Sequence, residues 1–170
     1  MIPLIVFGAS GKMGSRILEL GSQNPIFKIC GAIESNSHPS VGKKILDGKI
    51  SIESDLKKFK ESGALLIDFT NPAATNEHLK EVKSWPRAAL VIGTTGLSAQ
   101  EVKLVEESSK KFPIIFSPNM RVGVNLMFDL VRLIAKKLSN YDIEIVESHH
   151  NQKKDAPSGT ALALANEIAS

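Results

Sequence analysis

Leu4-Ile5-Val6-Phe7-Gly8-Ala9-Ser10-Gly11-Lys12-Met13-Gly14 passes from an unbroken apolar run into three evenly spaced glycines. An apolar run this short reads as a strand covered on both faces, and Gly11–Gly21 behind it reads as a helix. The glycines make a G-x-x-G-x-x-G turn between the two. Such glycines allow a tight turn, let backbone approach a pyrophosphate, and let helix pack closely on strand. Glu34 ends the next apolar run, 20 residues beyond Gly14, where a carboxylate can accept from a ribose 2′-hydroxyl. Strand, glycine turn, helix and acid together point to a dinucleotide.

The pattern continues outward from that turn. Further candidate strands are Lys28–Ile33, Leu65–Phe69, Ala89–Ile92 and Ile114–Phe116, separated by helical patterns at Asp55–Ser62, Pro72–Ser84 and Ser98–Lys111. Asn71-Pro72 puts proline in a first helical turn, and Ser98 with Glu101 forms a capping box. This alternation is that of βαβ units, so an α/β fold with a Rossmann-like, doubly wound parallel sheet is expected over residues 1–121. Ligands in such sheets bind at the carboxyl ends of strands. Three more loops fall there: Asp68-Phe69-Thr70, Gly93-Thr94-Thr95-Gly96 and Ser117-Pro118-Asn119-Met120.

From Val122 the character changes. Asn125–Leu138 reads as a helix with Leu126, Leu130, Leu133 and Ile134 on one side. Tyr141–Glu147 alternates as a one-sided strand, and another helix opens near Ser158. One strand between two helices makes no independent sheet, so residues 122–170 are expected to be the first part of an α+β domain.

Composition bounds the function. The 170 residues are 42% hydrophobic and 23% charged, with net charge +3, as in an ordinary globular protein. Lysines lie beside acids, and aromatics are only 5% of the chain, which argues against nucleic acid. No run approaches a membrane span, and the N-terminus is not a secretion signal, so a cytoplasmic protein is expected. The single cysteine, Cys30, excludes an internal disulfide and a cysteine metal cluster.

The stretch Val146–Ala161, VESHHNQKKDAPSGTA, carries the acid–base chemistry. Imidazole and ammonium groups move protons near neutrality, and the helix start at Ser158-Gly159-Thr160 offers N–H groups to an anion. Adjacent histidines on extended chain face opposite ways, so no metal is assigned to His149-His150.

Together these segments resemble the dihydrodipicolinate reductase family of the lysine and diaminopimelate pathway. The resemblance rests on GASGKMG at Gly8–Gly14, DFT at Asp68–Thr70, GTTG at Gly93–Gly96, SPNMRVGVN at Ser117–Asn125, and ESHHNQKKDAPSGTA. It implies an NADH- or NADPH-dependent oxidoreductase acting on a small cyclic dicarboxylate, with its site between a nucleotide domain and a substrate domain that builds a homotetramer. It implies that Gly8, Ala9, Ser10, Gly11, Lys12 and Met13 hold the pyrophosphate and Glu34 the adenosine ribose. Thr70, Gly93, Thr94, Thr95, Ser117, Pro118, Asn119 and Met120 would line the rest of the cofactor site. His149 would be a proton donor/acceptor, Lys153 the proton donor, and His150, Gly159 and Thr160 substrate contacts. Lys154 competes with Lys153, and the family's spacing from His149 decides for Lys153.

Two departures bear on function. Ser35 stands where many members carry a basic residue, so NADH is usable, while Lys12, Arg16 or Lys43-Lys44 leave NADPH open. Family members also extend further, so the chain is expected to be an N-terminal fragment that binds nucleotide and can lack turnover. Another nicotinamide-dependent dehydrogenase of similar plan is the alternative, although Cys30 is misplaced for a semialdehyde dehydrogenase nucleophile.

Overall fold

The computed structural model describes residues 1–117, 119–151, 153 and 156–170. The chain divides into two compact units, residues 1–117 and 118–170.

Unit 1 alternates strands and helices in the order β1 (Ile2–Phe7), α1 (Lys12–Gln23), β2 (Phe27–Ile33), β3 (Lys44–Ile45), β4 (Ile50–Glu53), β5 (Leu65–Asp68), α2 (Pro72–Val82), β6 (Ala89–Ile92), α3 (Ala99–Ser109) and β7 (Ile114–Phe116). The sheet order is β3-β4-β2-β1-β5-β6-β7, parallel throughout except for the β3–β4 pair. This is the expected doubly wound sheet. Strand order reverses at β1, with β2 on one side and β5 on the other, and that is where such folds open a crevice.

β1 shows why its sequence is apolar without alternation. Leu4 and Val6 bury into one core with Leu18 of α1, while Ile5 and Phe7 bury into another with Leu79 and Val82 of α2 and Val105 of α3. Successive side chains go to opposite faces, and both faces are covered. The β1–β2 register shifts once: Leu4 pairs with Ile29 but Ile5 with Gly31, leaving Cys30 as an extra residue. The Cys30 thiol donates to the Leu4 carbonyl at 3.4 Å, and burial pushes its pKa up, as befits an inert thiol. Downstream of this bulge Phe7 faces Ile33, so Glu34 follows directly at the strand's end.

Three expectations are corrected here. The helix expected at Asp55–Ser62 is a single 3-10 turn, Leu56–Phe59, capped by the Asp55 carboxylate accepting from Lys57 N at 3.0 Å. The turn buries Leu56 alone, too little apolar area to hold further helical turns. The β3–β4 hairpin was not expected; its turn places Leu46, Asp47 and Gly48 at positive φ. The third correction lies in unit 2.

Unit 2 contains α4 (Val122–Lys137) and α5 (Gly159–Ala169), joined by an ion pair from Arg132 Nε to Glu167 Oε2 at 2.6 Å. Tyr141–Glu147 forms no strand, because no described neighbour supplies a ladder to pair with its backbone. Leu126, Leu130, Leu133 and Ile134 are all exposed along α4. Among the described residues, no helix is long and apolar enough to cross a membrane.

Candidate functional site

The glycine turn joins β1 to α1 by direct backbone contact. A Cβ on Gly14 would stand 2.0 Å from the Gly8 carbonyl oxygen, so only glycine lets the first turn of α1 rest on the loop. Gly8 itself has φ +68°, a conformation other residues adopt only with strain. Ser10 N donates to Glu34 Oε1 at 2.7 Å. The acid at the end of β2 therefore reaches across the switch point to the glycine loop.

A cleft of about 560 Å³ opens here, lined by Gly8, Ser10, Gly11, Glu34 and Thr70, with Ser35, Asn36, His38 and His78 around them. Ala9 is buried beneath the loop, while Lys12 and Met13 are exposed in the first turn of α1. Among the described residues no lysine or arginine lines the cleft.

At its far wall sits a buried acid. The Asp68 carboxylate accepts from Thr70 N at 2.9 Å, Thr70 Oγ1 at 2.6 Å and Thr94 Oγ1 at 3.3 Å, and its second oxygen pairs with His78 Nδ1 at 2.8 Å. Burial alone would push its pKa up, but His78 and Thr70 outweigh burial and hold it below the usual carboxylate range. With an ionised partner, Nδ1 is the ring nitrogen that carries the proton. Gly93 N donates to the Asp68 carbonyl at 2.8 Å and Ser117 N to the Ile92 carbonyl at 3.1 Å. The structure thus brings Thr70, Gly93 and Thr94 into one network. Thr95 is exposed and outside it.

Unit 2 holds a second, smaller cleft of about 250 Å³. Ser158 caps α5, accepting from Ala161 N at 3.0 Å, and its own N–H donates to Glu147 Oε1 at 2.8 Å. Glu147 Oε2 lies 3.6 Å from His149 Nδ1, within ion-pair range. Hydrogen bonding from Ser158 chiefly, with the nearby charges of His149 and Lys153, holds the Glu147 carboxyl below its ordinary range. His149, Thr160, Asn119 and Arg121 share the cleft with these two. His150, Lys153, Gly159 and Met120 are not on its wall. His150 and Gly159 are exposed, and Lys153 N donates to the His150 carbonyl at 3.2 Å. Pro118 and Lys154 lie outside the described residues. Among the described residues no group of histidine, cysteine and acids is arranged to hold a metal.

Four residues escaped the sequence reading. His78 had a signal: Thr75, His78, Leu79 and Val82 repeat at helical spacing, which turns the histidine inward. Asp68 and Arg121 were inside quoted motifs without an assigned role. Glu147 stood inside a quoted motif without an assigned role, and its bond to the α5 start has no sequence signal.

The match extends beyond the motifs. The dihydrodipicolinate reductase N-terminus model matches residues 2–120 and the C-terminus model residues 123–170. The chain belongs to the dihydrodipicolinate reductase family. Among its relatives, the 4-hydroxy-tetrahydrodipicolinate reductase of Caldanaerobacter subterraneus subsp. tengcongensis is 45% identical over 99% of this chain and 63% of that protein. That of Syntrophus aciditrophicus is 42% identical over 99% of this chain and 65% of that protein. The dipicolinate-bound dihydrodipicolinate reductase of Paenisporosarcina sp. TG-14 superposes with a TM-score of 0.77 at 27% identity, covering 99% of this chain and 66% of that one. The chain thus spans slightly under two thirds of the length of these family members.

Proposed function

We propose that the chain carries its family's reaction, the NADH- or NADPH-dependent reduction of 4-hydroxy-2,3,4,5-tetrahydrodipicolinate to tetrahydrodipicolinate in lysine and diaminopimelate synthesis. Residues 1–121 act as the nucleotide domain and 122–170 as the first part of the substrate domain. The reaction runs in the cytoplasm, in a homotetramer of the full-length protein. The observation that carries this reading is the Glu34 carboxylate bonded to the glycine loop at the sheet's switch point.

The nucleotide cleft fits a dinucleotide. Gly8 to Met13 surround the pyrophosphate, which the N–H groups at the start of α1 hold, and Glu34 accepts from the adenosine ribose. Thr70 and Gly93 to Thr95, braced by Asp68, line the nicotinamide end with Ser117. Among the described residues the cleft wall beside Glu34 carries no lysine or arginine, which favours NADH over NADPH. A reduced nicotinamide, when bound, supplies a hydride.

The chain's own residues handle the substrate's charges. Thr160 and Gly159 at the start of α5, with His150, take a carboxylate. Lys153 Nζ delivers a proton to the ring nitrogen where negative charge builds, and His149 serves as the second proton donor/acceptor. Glu147, held by Ser158, orients His149. The dicarboxylate class is supported by the dipicolinate bound to the Paenisporosarcina enzyme.

The test is NADH oxidation on adding freshly made substrate. Turnover supports the reading; nucleotide binding without turnover marks the chain as a binding fragment. A Lys153→Ala variant should lose rate while keeping NADH affinity, and equal loss of both would remove Lys153 as the acid.

A further inference from the structure

Arg121 lines the small unit-2 cleft beside His149 and Thr160, and the family motifs assign it nothing. Its position runs against local preference. Arg121 is the N-cap of α4 and makes no side-chain cap bond. Short acceptors are favoured at that position and cations are disfavoured at a helix's positive end. Residues that break a local rule without a structural return are where function is to be sought.

The backbone around it is held on both sides. Arg121 N donates to Asn119 Oδ1 at 3.0 Å, and Asn125 Nδ2 donates to the Arg121 carbonyl at 2.9 Å and to the Asn119 carbonyl at 2.9 Å. Two asparagines therefore fix the direction in which the arginine side chain leaves the chain, the kind of support a binding group needs. Among the described residues its guanidinium has no acidic partner. The only acid among the described residues of the cleft wall, Glu147, is engaged by Ser158 and His149.

We propose that Arg121 binds one of the two carboxylates of the substrate, opposite the one taken at Thr160. The inference rests on the dicarboxylate reading above and adds a specificity residue to it. A guanidinium meets a carboxylate through two parallel N–H···O bonds. At about 250 Å³ the cleft falls below the roughly 300 Å³ where pockets for drug-sized ligands begin. It suits a small ring compound with an anion at each end.

The experiment compares dipicolinate with picolinate, which lacks one carboxylate, by calorimetric titration of the chain. In the unaltered protein the second carboxylate should strengthen binding. In Arg121→Gln, dipicolinate affinity should fall about tenfold and approach that of picolinate, while NADH affinity and far-UV circular dichroism stay unchanged. Arg121→Lys should recover part of the preference, since an ammonium keeps the charge but not the fork. An unchanged dipicolinate-to-picolinate ratio in both variants would overturn the role of Arg121 and leave the reductase reading standing. Failure of the unaltered protein to bind dipicolinate would overturn both.

Discussion

The Asp68 carboxylate and the His78 imidazole meet at 2.8 Å at the wall of the nucleotide cleft. The imidazole in turn lies flat on Phe7, with ring centroids 4.0 Å apart. This pair ties the end of β5 to the middle of α2. Through Thr70 and Thr94, it also fixes the loops that follow β5 and β6.

Asp68 should make the protein acid-sensitive. Its folded pKa is depressed, so the ionised group contributes stability above its unfolded value of about 3.9, and that stability is lost as pH falls through the lower folded value. Asp68→Asn should cost about 3 kcal/mol at pH 7, as removing one partner of a buried pair does. The gap to the unaltered protein should shrink in strong acid, where both carry a neutral group. Urea unfolding at pH 7 and pH 3 measures it; a gap independent of pH would show that the charge is not what matters.

Gly14→Ala places a methyl 2.0 Å from a backbone oxygen that cannot swing aside. The start of α1 must move, at a cost of about 1–3 kcal/mol, and the loop must open. Thermal unfolding should show the loss of stability. Fluorescence titration with NADH should show a sharp loss of affinity, whereas full retention would mean the loop does not need that closeness.

Glu34→Gln keeps the shape and removes the charge. NADH affinity should fall about five- to tenfold, the scale of one hydrogen bond to a charged acceptor. NADPH affinity should hold or rise, because repulsion of a 2′-phosphate disappears. Parallel titrations decide this, and an equal fall for both nucleotides would exclude Glu34 from choosing between them.

The central sheet was readable because its strands are buried on both faces and carry unbroken apolar runs, as Leu4–Phe7 does. β3 and β4 were missed because each is short and mixed in character, although Asp47-Gly48 between Ile45 and Ile50 was a usable turn signal. Tyr141–Glu147 has the alternation of a strand, yet alternation describes one face and supplies no partner. The glycine loop and Glu34 were legible as a pair because their spacing follows from one βαβ unit. The Glu147–Ser158 bond and the bracing of Arg121 by Asn119 and Asn125 were not legible. They depend on how loops close in space, and residue type alone does not encode that.

The extra residue at Cys30 sets how far Glu34 reaches. The bulge takes up one residue between the Leu4 and Ile5 pairings, so Glu34 stands level with the loop instead of about 3.3 Å beyond it. Deleting Cys30 would remove the bulge and leave Ile33 opposite Phe7, so Glu34 would keep its place beside the loop. The strand therefore carries one residue of slack: a single-codon deletion at the bulge should leave nucleotide preference unchanged, where replacing the acid should not.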